Sequence, residues 1–358
     1  MLAFSCKQNE SVSEPKSVGP VQWLTFDGAP DRPSIVLVSG DEEYRSEEAL
    51  PQLARILSEH HGFNCTVLFA QDPEFPGIVD PNYTRNIPGL EHLSDADGMV
   101  IFTRFRALPD DQMELIDDYL MQGKPVVGIR TSTHAFHFTK EDSLSGYRHY
   151  GNFNQEEGPW KDGFGRLVLG EKWISHHGRH KLQSTRGKIN SQAINHPIVQ
   201  GINDGEIWGA TDVYGVRLPL AEDGKALILG QVVNAELPYD NEDLFYGLRE
   251  SDRKLAGIDT ARVNLGDLND PMMPIAWTKT YQLPGGQRGK AFTSTIGAST
   301  DLLNESVRRL LVNAVFWSLD MDVPAFANVD VVGAYNPTQF KFESDEYWEE
   351  RNLVIKDQ

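Results

Sequence analysis

The segment GEKWISHHGRH (170–180) places His176, His177 and His180 within five residues, the outer two four apart. Imidazoles at this spacing can share a metal ion, or they can move protons to and from a bound substrate. A divalent ion held by His176, His177 and His180 is one reading. Against it, Gly178 interrupts the run, no helix is evident, and no carboxylate follows at a helical offset. Acid–base or substrate-binding work by His176 and His177 is the second reading, with no metal or other cofactor. A purely structural role is the third.

Another constellation lies in GKPVVGIRTSTHAF (123–136). Lys124 to Ile129 read as a strand that turns directly into a helix through Arg130, Thr131, Ser132, Thr133 and His134. Such an elbow exposes its tip at a sheet edge, where acyl-transfer enzymes carry a nucleophile. The tip residue here is Arg130, and a guanidinium cannot attack anything. Nucleophilic acyl transfer is therefore disfavoured, and Ser132 is expected to cap the following helix. Arg130 is suited instead to stabilise an enolate or alkoxide oxygen, with His134 one turn further on as a companion catalytic group.

Three further stretches carry polar side chains where a plain loop would need only glycine or proline. GDEEYRSEE (40–48) offers Glu42, Glu43 and Tyr44, and TRFR (103–106) offers Arg104 and Arg106. In IWGATDVYGVRLPL (207–220), Asp212 and Tyr214 flank one valine and share a face if the segment is extended. The catalytic candidates are thus Arg130, His134, His176, His177 and Asp212. The substrate-binding candidates are Glu43, Tyr44, Arg104, Arg106, Thr131, Trp173 and Tyr214. Ring faces beside such groups suit a polyhydroxylated ligand, whereas most of the tryptophans belong in a core.

The elements that must position these residues follow from periodicity. Short apolar runs at 34–38, 63–69, 98–102 and 124–129 alternate with amphipathic helices through SEEALPQLARILSEHHG and PDDQMELIDDYLMQG. This βαβα order predicts an α/β fold with a doubly wound, mainly parallel sheet, whose ligands sit at the carboxyl ends of the strands. In the second half, strands at 226–233, 274–281 and 290–297 have no helices between them and should be antiparallel. SVRRLLVNAVFWSL (306–319) is the closing helix. The expected organisation is a leader over 1–30, one domain over 31–322, and a surface extension over 323–358.

Net charge is −19, from 52 acidic and 33 basic residues, and no basic stripe exists, so nucleic acid is not an expected partner. No G-x-G-x-x-G or G-x-x-x-x-G-K-[ST] run supports a nucleotide cofactor. Of two cysteines, Cys65 lies in an apolar run and reads as a buried hydrophobe. Cys6 follows Leu2-Ala3-Phe4-Ser5 and precedes a polar tether, the pattern that ends a bacterial lipoprotein signal. A lipid on Cys6 would place the protein in the cell envelope, as a periplasmic or outer-membrane lipoprotein, and would be its one contact with a membrane. The alternative is the cytoplasm, and a homo-oligomer is a further partner to test for.

Taken in order, DGMVIFTRFRALPDDQ, GKPVVGIRTSTHAF, FGRLVLGEKWISHHGRH, NHPIVQGI, IWGATDVYGVRLPL, DPMMPIAWTKTY and GKAFTSTIGASTDLLNESVRRLLVNAVFW resemble the ThuA-like (trehalose-utilisation) family. That family is a branch of the class I glutamine amidotransferase-like fold, itself flavodoxin-like. The resemblance implies carbohydrate metabolism, with a glycoside, disaccharide or keto-sugar as the small-molecule partner. It leaves three readings open: a lyase, hydrolase or isomerase, a non-catalytic carbohydrate-binding lipoprotein, or a metal-dependent hydrolase using the histidines. The amidotransferase parent carries a cysteine where Arg130 stands. The purified protein is therefore expected to release no ammonia from glutamine; release that depends on Arg130 would contradict this.

Overall fold

The computed structural model describes residues 20–221 and 223–357. Cys6 and most of the expected leader lie outside the described residues. Among the described residues, ten strands form one sheet in the order β1-β3-β2-β4-β5-β10-β9-β8-β6-β7. They are β1 (Trp23–Phe26), β2 (Ser34–Gly40), β3 (Asn64–Phe69), β4 (Gly98–Thr103), β5 (Val126–Ile129), β6 (Gln183–Ile189), β7 (Trp208–Gly209), β8 (Lys225–Asn234), β9 (Met273–Gln282) and β10 (Arg288–Ser294). The α-helices are α1 (Ser46–His61), α2 (Asp110–Met121), α3 (Gly163–Leu167), α4 (Glu305–Ser318) and α5 (Asp345–Arg351).

Strands β3, β2, β4, β5 and β10 run parallel, whereas β1 at one edge and β9, β8, β6 and β7 at the other pair antiparallel. The sheet is thus evenly mixed rather than mainly parallel. The difference arises because β6 (QSTRGKI), β7 and β1 are too short or too polar to stand out by periodicity. Within the parallel half the double winding is present. Along β2, Ile35 and Leu37 join the core under α1 and α4, and Val36 and Val38 join the core under α2.

Two expected boundaries move. Strand β1 pairs with β3 inside the stretch read as a leader, because Trp23 to Phe26 match Leu68 to Cys65 in register. The stretch 323–358 is not merely a surface extension. It buries Phe340, Trp348 and Ile355, and Thr338 is tied to the Glu48 carboxylate by its backbone N–H at 2.8 Å. The helix expected after the elbow is a single 3₁₀ turn over Arg130–His134. The chain then leaves to bond with the loop after β4, with Arg106 N–H donating to the Ala135 carbonyl at 2.7 Å.

Glu47, in the first turn of α1, is buried with neither carboxylate oxygen hydrogen-bonded. Burial pushes its pKa from 4.5 up to about 8. The folded state therefore holds this proton more tightly than the unfolded chain. The resulting stabilisation is complete below about pH 4.5 and is lost as pH rises towards 8, at no more than ~1.4 kcal/mol per pH unit. Glu47→Gln should flatten this decline in denaturant titrations run from pH 5 to 8.5. An unchanged slope would show that Glu47 does not cause it.

Candidate functional site

Loops at the carboxyl ends of β2, β4, β5 and β10 meet the segments flanking β6 and β7. Gly128, two residues before the elbow tip, has no room for a side chain, since a Cβ there would lie 2.8 Å from Leu169. Arg130 then takes φ of 46°, a left-handed conformation costly for a non-glycine residue. This turns its side chain under the sheet edge, where it is fully buried. The guanidinium lies between two phenol rings, 4.4 Å from the Tyr44 centroid and 3.9 Å from that of Tyr214. Nη1 donates to the carbonyls of Asp212 (2.8 Å) and Thr295 (2.5 Å). Nη2 donates to Tyr44 Oη (3.2 Å) and Asp212 Oδ1 (3.1 Å).

The Asp212 carboxylate is the centre of the site. Its side chain is fully buried, and it accepts from His176 Nδ1 at 2.8 Å and His180 Nδ1 at 3.2 Å as well as from Arg130. Burial would raise its pKa, but the bonds from His176 and His180 and the charge of Arg130 hold it well below the usual carboxylate range. An isolated β-bridge between His176 and Tyr214 aligns the two loops. His180 also sets Nε2 3.3 Å from Glu43 Oε1. Burial disfavours its charged form, yet the hydrogen bonds to Asp212 and Glu43 carry its pKa above the ordinary value. His134 goes the other way, because burial and the nearby Arg104 and Arg130 push its pKa well down.

From Asp212 outward the charges alternate. Glu43 lies 4.0 Å from Arg104, which also pairs with Glu42, and Glu42 in turn accepts from Arg106 at 2.6 Å. His176, His180 and Arg104 expose 36 %, 25 % and 20 % of their side chains, so these are the groups a ligand meets. Aromatic rings flank them. Trp173 is partly exposed and edge-on to His176 at 5.8 Å, and Phe105 packs on His134 at 4.9 Å. Phe105, like Arg130, is held at a positive φ of 50°.

Several expectations change in this light. Arg130 and Asp212 line no open surface, because both side chains are fully buried and Asp212 bonds to the histidines from beneath. His177 is turned away: its Nε2 donates to the Leu268 carbonyl at 2.9 Å, so the acidic partner Asp212 replaces it beside His176 and His180. Arg106 is buried and spent on the carbonyls of Arg104, Pro81 and Tyr83 as well as on Glu42, which makes it a loop anchor. Thr131 is buried and donates to Asp41, and Ser132 caps nothing, its buried hydroxyl having no partner. Tyr44, Tyr214 and His134 are also buried and form the wall and floor. Arg104 and Trp173 remain at the rim, while Glu43 is buried behind His180.

Sequence reasoning missed what holds the histidine loop. Arg262 donates to the carbonyls of His176 (3.0 Å), His177 (3.1 Å) and Gly178 (3.3 Å), and Asp259 clamps Arg262 and Arg179 together. Phe340, from the C-terminal stretch, packs on Tyr44 at 5.4 Å and on His180 at 5.6 Å. No sequence signal marks either contact, since both join distant irregular segments.

No protein-family model matches the chain, and no curated protein does. Among solved structures, the chain is similar to a protein described as ThuA-like from Parabacteroides merdae, at 15% identity and a TM-score of 0.46, over 89% of this chain and 99% of that one. A second protein so described, from Bacteroides uniformis, matches at 13% identity and a TM-score of 0.38, over 82% and 95%. The cytoplasmic protein STM3548 from Salmonella typhimurium matches at 12% identity and 0.38, over 79% and 98%.

The Arg262 brace gives a direct test. The amides of His177 and Gly178 both donate to the Val213 carbonyl, at 2.8 and 3.0 Å. In Arg262→Ala these two amides should exchange with solvent roughly tenfold faster, a local opening easier by ~1.4 kcal/mol. Unaltered exchange would show that the loop holds itself.

Proposed function

We propose that this is a ThuA-like carbohydrate-processing protein whose acid–base centre is the cluster of His176, His180 and Asp212. The observation that carries the reading is that two partly exposed imidazoles are aligned by one buried carboxylate, itself held by Arg130. Asp212 fixes both Nδ1 atoms and Glu43 engages the outer nitrogen of His180, so His176 Nε2 is the ring nitrogen left to face a ligand. A sugar hydroxyl or a carbon beside a keto group is the kind of centre such a cluster deprotonates. Arg104 at the rim offers a donor to hydroxyl groups, and Trp173 offers a ring to the apolar face of a pyranose. The chemistry is a lyase, hydrolase or isomerase step, with Arg130 as the buried support of the centre.

The test pairs binding with turnover. Sugars and keto-sugars are screened by thermal shift, and those that stabilise the protein are followed for product by mass spectrometry. His176→Ala should keep the fold and lower turnover by about a hundredfold or more. Stabilisation by a sugar without product would favour a non-catalytic binding protein. No stabilisation by any of them would contradict the carbohydrate reading.

A further inference from the structure

We propose that His176, His180 and Asp212 form a binding site for a first-row divalent transition-metal ion. The inference rests on the same cluster as the functional reading but not on its substrate. One donor atom from each residue lies within 4.8 Å of the others. His176 Nδ1 lies 2.8 Å from Asp212 Oδ2 and His180 Nδ1 lies 3.2 Å from Oδ1, so each imidazole faces its own oxygen of one carboxylate. Ligands around an ion with bonds of about 2.1 Å stand about 3.0 Å apart at right angles and about 3.4 Å apart in a tetrahedron. Little movement is therefore needed to close the three groups on one ion.

The surroundings fit a ligand set better than a closed hydrogen-bonded knot. A metal-binding imidazole ordinarily gives its other N–H to a carboxylate, which fixes the ring. His180 has that arrangement, with Nδ1 towards Asp212 and Nε2 3.3 Å from Glu43 Oε1. A ligating carboxylate is in turn held by a donor, and Arg130 Nη2 holds Asp212 Oδ1 at 3.1 Å. On binding, each imidazole meets the ion through a bare Nδ1 and keeps its proton on Nε2. Two nitrogens and a carboxylate on one side leave the solvent side for water or a substrate oxygen, and that donor set suits zinc, iron(II), cobalt or manganese rather than calcium. Water on such an ion is acidified and becomes the cluster's acid–base group.

The experiment uses the full chain, stripped with a chelator and desalted, then titrated with Co²⁺ and Zn²⁺ by calorimetry, with Co²⁺ also followed by its visible spectrum. One ion per chain with micromolar or tighter affinity is expected. His176→Gln and His180→Ala should each weaken binding at least tenfold, Glu43→Gln about tenfold, and His177→Ala should leave it unchanged. His176 is part-exposed, so His176→Gln keeps the test open should His180→Ala fail to fold. Absence of binding to the wild-type chain overturns the proposal, as does equal affinity in the wild type and His176→Gln. Sugar-induced thermal shifts, measured both in chelator and with the ion bound, separate the two readings. Shifts without metal binding sink the metal site alone, and metal binding without shifts sinks the carbohydrate reading alone.

Discussion

The site depends on one buried ion pair. A guanidinium and a carboxylate taken wholly out of water are tolerable only if nearly every donor and acceptor is met. Arg130 meets this with four hydrogen bonds and two ring faces, its Nε alone lacking a partner. Asp212 meets it with Arg130 and two imidazoles. Because the carboxylate has no water to turn to, the orientation of His176 and His180 follows from where Arg130 holds it. The cation at the elbow thus holds the Asp212 carboxylate from within the fold.

Packing sets up this pair. The 46° φ at Arg130 is strained backbone, which persists only where the surroundings impose it. Gly128 packed against Leu169 and Ser132, Tyr44 beneath the guanidinium and Tyr214 above it supply that imposition. The parallel half of the sheet delivers Glu43, Arg104 and Arg130 from consecutive strand ends. The antiparallel half and its loops deliver the histidines and Asp212. The site lies where the two halves meet, and the C-terminal stretch closes it with Phe340.

The sequence was most readable where periodicity is strong. Helices α1, α2 and α4 and strands β2, β3, β4, β8, β9 and β10 fall within a few residues of their expected places, since each buries a regular apolar stripe. Polar β6 and the two-residue β7 carry no such stripe. At the site, the types of His176, His180, Asp212 and Arg130 were legible, but not which of them face a ligand. An arginine at an elbow reads as exposed. Its burial is decided by Tyr44 and Asp212, 86 and 82 residues away in the chain. The missing acidic partner of the histidines was sought one helical turn away, whereas it lies 36 and 32 residues on and is brought back through the Tyr214 bridge.

A double-mutant cycle on Arg130→Met and Asp212→Asn tests the central pair most directly, with chemical denaturation as the readout. Each single variant leaves a buried group without its counter-charge and should lose about 3–5 kcal/mol. The double variant should lose markedly less than the sum, giving a coupling of ~2 kcal/mol or more. Additive losses would contradict the account, since Arg130 and Asp212 would then be buried side by side without depending on one another.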